Sequence, residues 1–197
     1  MGFSMMRFEP QPVTGQQRHG DAAFPLALVA EGPVSHQDLR AQSAVLMEHL
    51  ATHGAILFRG CEVADAQAFD DFVTGFDLPD FPYNESLSNA VRHNRTPRVF
   101  TANEAPQDVE IFLHHEMAQT PFYPSKLIFF CQTAAEDGGA TPVCRSDILW
   151  ERLCAGQSDF AADCETKGLR YTNVMPAEAD TASGMGRSWQ STFSVDT

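Results

Sequence analysis

Residues 112–124 read "FLHHEMAQTPFYP", and the first five of them set the terms for the rest of the chain. Two adjacent imidazoles and a carboxylate close an apolar run, where such groups are costly unless something pairs with them. The Val, Ile and Phe content of "DVEIFLHHEM" (108–117) predicts an extended strand. In a strand residues i and i+2 share a face, so His114 and Glu116 project together while His115 faces the other way. One imidazole and one carboxylate on a face supply two ligands of a facial 2-His-1-carboxylate site. Such a site suits ferrous iron because it leaves adjacent positions open.

The triplet alone is a weak signal. With 7 His and 26 acidic residues in 197, about one H-x-[DE] arises by chance. The sequence holds His19/Asp21, His36/Asp38 and His114/Glu116. His36 and Asp38 fall in a predicted helix, where i and i+2 diverge by about 200° and do not easily share a metal. His19 and Asp21 flank Gly20 in a polar lead-in. His114/Glu116 is the pair on a predicted strand, and a metal site and a solvated strand end are both open readings of it.

Working outward, residues 1–34 are rich in Pro, Gly and Gln and read as an extended lead-in, with an edge strand at "FPLALVA". Residues 35–197 read as a single domain. Ser35 and Asp38 form a capping box, and Leu39, Leu46, Met47 and Leu50 follow at helical spacing until His53-Gly54. "AILFRG" predicts a short buried strand. Asp65 is placed to cap a second helix with Phe69, Phe72, Val73 and Phe76 on one face. A long, proline-marked loop then runs from Leu78 to Arg98, and loops of that length are often functional.

Beyond Val99 the period becomes extended. "RVFTAN", "DVEIFLHHEM", "KLIFFCQTA" and "ATPVCR" predict strands, with Gly138-Gly139 in the last turn. "SDILWERLCAG" and "SDFAADCETKG" predict short helices, with Ser158 and Gly168 at cap positions. "LRYTNVM" and "SWQSTFSV" predict further strands. The expected fold class is therefore mainly β with flanking helices, α+β.

Composition bounds the partners. A formal charge of −13 argues against nucleic acid and anionic membranes, and no apolar run approaches spanning length. The N-terminal residues lack the apolar core of a secretion signal. Five cysteines without a C-x-x-C pair fit buried thiols in a reducing cytoplasm.

Taken in order, "GAILFRG", "RVFTANEAPQDVEIFLHHEM", "PSKLIFFCQTAAEDGGATPVCRS", "KGLRY" and "GRSWQSTF" resemble the taurine dioxygenase (TauD/TfdA) superfamily, clavaminate-synthase-like enzymes. The resemblance extends over most of the chain from about Phe24. It implies a double-stranded β-helix, or jelly roll, with helices outside. It also implies Fe(II), with 2-oxoglutarate and O2 as cosubstrates, in C–H hydroxylation of a small carboxylate- or amino-acid-like molecule coupled to succinate formation.

By position, the resemblance puts the metal ligands at His114 and Glu116 and a contact to the distal carboxylate of 2-oxoglutarate at Thr141. The residues alone leave Thr141 equally open as a strand threonine after a Gly-Gly turn. Phe112 and Phe129 or Phe130 are candidates for pocket walls or for ordinary core.

The resemblance also implies a distal histidine followed by a cosubstrate-binding arginine. No histidine follows His115, so Arg145, Arg170 and Arg187 receive no cosubstrate role. The expectation is a fragment, the N-terminal part of such an enzyme, with the jelly roll incomplete at its C-terminus. Its exposed sheet edge would permit a homo-oligomer. A non-catalytic scaffold acting as a binding or assembly module is the alternative. The loops 78–98 and 173–186 are candidate lids, and Arg92, Arg95 and Arg98 carry no assigned role.

Overall fold

Helix α1 (His36–His53) starts where the capping box places it. Ser35 Oγ accepts from the Asp38 N–H at 3.2 Å, and Asp38 Oδ2 accepts from the Ser35 N–H at 3.0 Å. It ends at Gly54, whose positive φ of 76° lets its N–H return to the Leu50 carbonyl. This computed structural model describes residues 8–83, 86–88, 90, 92–102, 109–180 and 186–195. The chain divides into two units, the first comprising Met1–Asp80, Arg95–Val99 and Ile128–Gln132.

In the first unit, β1 (Phe8–Pro10), β4 (Leu26–Ala30) and β5 (Ile56–Arg59) form one sheet in the order β1-β4-β5. β1 runs antiparallel to β4, with Phe8 opposite Ala30. β4 and β5 are parallel, with Leu26 opposite Ile56, and α1 is the crossover between them. β2 (Gln17–His19) and β3 (Ala22–Phe24) make a separate hairpin through Gly20, which adopts a φ of 59°.

"FPLALVA" is thus a central strand rather than an edge. Its Leu-Ala-Leu run buries on both sides, and only a strand with two neighbours satisfies its backbone there. Residues of the proline-rich lead-in likewise take part in the core. Phe8, Leu26, Leu28, Leu39, Leu46, Phe72 and Phe76 form one apolar cluster. Phe72 and Phe76 come from helix α2 (Ala66–Thr74) and the turn after it, capped by Asp65, which accepts from the Ala68 N–H. Gly75 lets α2 close on α1: a Cβ there would lie 2.6 Å from Leu39 Cβ.

The second unit comprises Phe81–Asn94, Phe100–Leu127 and Thr133–Thr197. It holds α3 (Ser146–Gly156) and α4 (Ser158–Lys167), separated by Gln157 alone, and α5 (Trp189–Phe193). Gln157 is the N-cap of α4, so Ser158 lies one residue inside the helix. "SWQSTFSV" forms α5 rather than a strand. The Ser188 hydroxyl accepts the Ser191 N–H and turns the chain helical, overriding the strand preference of Trp, Thr and Phe.

The mixed α and β character is as expected, but among the described residues helix exceeds strand and β does not dominate. Among the described residues, 98–102, 109–117, 126–134, 140–145 and 169–175 form no named strand; Asn94 and Phe100 make one isolated bridge. Residues 103 and 108, the ends of two expected strands, lie outside the described residues. An apolar, β-prone sequence becomes a strand only when a neighbouring backbone takes up its N–H and C=O groups.

Candidate metal centre

His114 and Glu116 belong to the second unit, at the point where the extended run stops. Met117 adopts φ 58° and is buried, and the Ala118 N–H returns to the His115 carbonyl at 3.3 Å. The left-handed region costs a non-glycine residue about 1–2 kcal/mol. Burial of the Met117 side chain offsets that cost and holds the turn. The consequence for the site is that Glu116 stands at a fixed corner.

The two side chains approach each other, with His114 Nε2 3.9 Å from Glu116 Oε2. His114 Nδ1 lies 2.6 Å from the Phe112 carbonyl oxygen. A carbonyl only accepts, so Nδ1 carries a hydrogen, and in the neutral tautomer that fits this contact the lone pair lies on Nε2. That is how a metal-binding imidazole is held, its other nitrogen tied to an acceptor. His115 points elsewhere, with its Nε2 on the Ser146 hydroxyl.

Glu116 is largely buried and its second oxygen is occupied. Arg92 Nη2 donates to Oε1 at 3.1 Å, and the exposures of the two side chains are 16% and 17%. The Arg92 guanidinium lies over the Tyr83 ring at 4.8 Å and 5.7 Å from the centre of Phe100. The Tyr83 hydroxyl is buried and has no hydrogen-bond partner among the described residues. It feels Glu116 as a nearby charge instead of making a well-formed bond to it. Burial, and after it the Glu116 charge, push the phenol above the usual tyrosine range.

The remaining expected residues are not drawn in. Thr141 is exposed, and among the described residues no hydrogen bond joins it to His114 or Glu116. Phe112 and Phe129 are largely exposed, and Phe130 stacks on Phe69 at 5.2 Å within the first unit. Among the described residues, no group of three or more His, Cys, Asp or Glu could hold a metal ion. His114 and Glu116 are thus two neighbouring side chains with metal-donor chemistry and no third such donor beside them among the described residues.

The other H-x-[DE] pairs have different work. Asp38, the third residue of α1, completes its capping box by accepting from the Ser35 N–H, and His19 tilts against Phe24 at 6.0 Å. Of the downstream arginines, Arg145 pairs with the adjacent carboxylate of Asp147. Arg187 donates to the Ser86 and Ser88 carbonyls at 3.0 and 2.9 Å and to the Ser191 hydroxyl and carbonyl. In the first unit Arg98 pairs with Asp70 at 2.9 Å and Asp80 at 3.5 Å.

Sequence reasoning placed Arg92 with Arg95 and Arg98 and passed over Tyr83. Nothing local in "AVRHNRTPR" separates the three arginines; the contact to Glu116 spans 24 residues. Residues 84, 85, 89, 91 and 181–185, parts of the two candidate lids, lie outside the described residues.

A family model described as taurine catabolism dioxygenase TauD, TfdA family matches residues 21–192. The chain is 37% identical over 186 residues to a clavaminate synthase-like protein of Arabidopsis thaliana, a match covering 94% of this chain and 56% of that protein. It is 28% identical over 149 residues to the dapdiamide synthesis protein DdaC of Enterobacter agglomerans, covering 76% of this chain and 42% of that protein. The chain spans about half the length of the curated relatives it matches.

Proposed function

The chain belongs to the TauD/TfdA dioxygenase family, and on that premise we propose that it carries the H-x-E portion of the iron site of a 2-oxoglutarate-dependent dioxygenase. The observation that carries this reading is the donor pair itself: His114 Nε2, with Nδ1 tied to the Phe112 carbonyl, 3.9 Å from a Glu116 oxygen. Fe(II) bound there supplies the oxygen chemistry that side chains alone lack.

The chain's own contribution is to hold and orient. Phe112 fixes the His114 ring through its carbonyl, the Met117 corner fixes the backbone of Glu116, and burial keeps water from much of the carboxylate. In the same reading Thr141 meets the distal carboxylate of 2-oxoglutarate, and the substrate is a small carboxylate- or amino-acid-like molecule hydroxylated at a C–H bond. In that reading too the fold is the jelly roll of the family, and His114 and Glu116 are two of the three protein ligands. A second reading is a non-catalytic scaffold that retains the H-x-E corner and acts by binding.

The test is anaerobic titration of Fe(II) with 2-oxoglutarate, followed by the visible metal-to-ligand band and, after oxygen is admitted, by succinate. Saturable binding that disappears in His114→Ala and Glu116→Ala is the expected result. Binding indifferent to both substitutions would sink the metal assignment. Binding without succinate would select the scaffold.

A further inference from the structure

Glu116 has two oxygens, and the structure gives each a different neighbour. Oε2 faces His114 Nε2 at 3.9 Å, while Oε1 accepts from Arg92 Nη2 at 3.1 Å. A carboxylate fixed at one oxygen has little freedom left to turn the other. Arg92 is itself held firmly for a long side chain. Its guanidinium lies over Tyr83 and beside Phe100, and Nη1 is directed at the Thr101 carbonyl at 3.5 Å. Planar stacking of this kind restrains a guanidinium in a way an unstacked surface arginine is not restrained.

The neighbouring arginines do not duplicate the arrangement. Arg98 is committed to Asp70 and Asp80, and Arg95 is exposed. Among the described residues, Arg92 alone of the three meets a candidate ligand.

We propose that Arg92 is a positioning residue for the metal-binding carboxylate: seated on Tyr83 and Phe100, it holds Oε1 of Glu116 so that Oε2 is presented beside His114. The inference rests on the reading of His114 and Glu116 as metal ligands. Its opposite is that Arg92 competes with the metal for Glu116. The two predict effects of opposite sign. Losing a positioning partner weakens metal binding, typically about 10–100-fold for hydrogen-bonding partners of ligands. Losing a competing cation strengthens it.

The test uses Mn(II) alone as the probe and needs no turnover. Free ion is counted by electron paramagnetic resonance in titrations of the full chain, with circular dichroism melts confirming that each variant is folded. Arg92→Met keeps an unbranched apolar stem and removes the donors, so affinity should fall by about tenfold or more. Arg92→Lys returns a cationic donor without the planar group that stacks, and should recover part of the loss.

Mn(II) affinity in Arg92→Met equal to or tighter than that of the unaltered chain overturns the proposal. So does an Arg92→Lys variant as weak as Arg92→Met. Should Arg92→Met not fold, Phe100→Leu loosens the same seat with the charge retained, and unchanged affinity there overturns the proposal. Failure of the underlying reading looks different: the unaltered chain binds no Mn(II), or His114→Ala binds it as well as the unaltered chain.

Discussion

"LALVA" at Leu26–Ala30 and "EIFLHHE" at 110–116 are both apolar, β-prone runs, and they meet opposite fates. β4 has β1 on one side and β5 on the other, and Leu28 is 0% exposed. Phe112, in the middle of the second run, is 72% exposed, and 109–115 carry no strand among the described residues. The difference lies in what flanks each run. β4 is followed by a capped helix that carries the chain back to a parallel partner within a single crossover, and β1 and β5 satisfy its backbone groups. The second run is followed by a corner at Met117, which ends the extension and fixes Glu116 without supplying a partner strand. Apolar content predicts what a segment would bury; pairing decides whether it does.

The largest expected effect tests that contrast directly. Leu28→Ala should cost about 2–5 kcal/mol in urea unfolding, the range for emptying a packed core site. Phe112→Ala should stay within about 0.5 kcal/mol of the parent, as exposed substitutions usually do. Comparable losses at the two positions would mean that the second run is buried in solution and that the contrast is false.

Next comes packing against open space. Gly75→Ala puts a Cβ 2.6 Å from Leu39 Cβ and 2.9 Å from the His36 carbonyl oxygen, and overpacking of this kind costs about 1–3 kcal/mol. Gly156→Ala, at the end of α3 with no atom within 4 Å of the added Cβ, should instead gain up to about 1 kcal/mol. Thermal melts of the pair check both signs.

The smallest effect is chemical and leaves stability untouched. Burial pushes the Cys61 thiol up from 9.0 to about 11. The thiolate is the reacting form, so at pH 8 Cys61 has about a hundredfold less of it than an ordinary thiol with a pKa of 9.0. Its labelling by iodoacetamide should be slow and rise about tenfold per pH unit until about pH 11. Exposed Cys131 and Cys144 should label first. Mass spectrometry after timed quenching gives the order, and early labelling of Cys61 would show that the packed region opens more readily than its core suggests.

Much of the first unit was legible because its signals are local. Ser35 with Asp38, Asp65 and Gly54 act on groups three or four residues away, and each does in the structure what its position implies. The candidate site was legible only in part. The i, i+2 relation of His114 and Glu116 is a short-range property, and the two side chains do lie side by side. Ser188 shows how such reading fails, since one hydroxyl outweighed the strand preference of the residues after it.

What the sequence determined by itself is the caps at Ser35, Gly54 and Asp65, the helices from α1 to α4, the family resemblance and the H-x-E pair, all properties of neighbours along the chain. Tertiary structure alone decided that β4 is central, that the run before His114 lacks a ladder among the described residues, and that Arg92 rather than Arg95 or Arg98 meets Glu116. Those outcomes depend on which distant groups arrive to satisfy a backbone or a buried charge. A linear pattern contains the demand for a partner but not the partner's address.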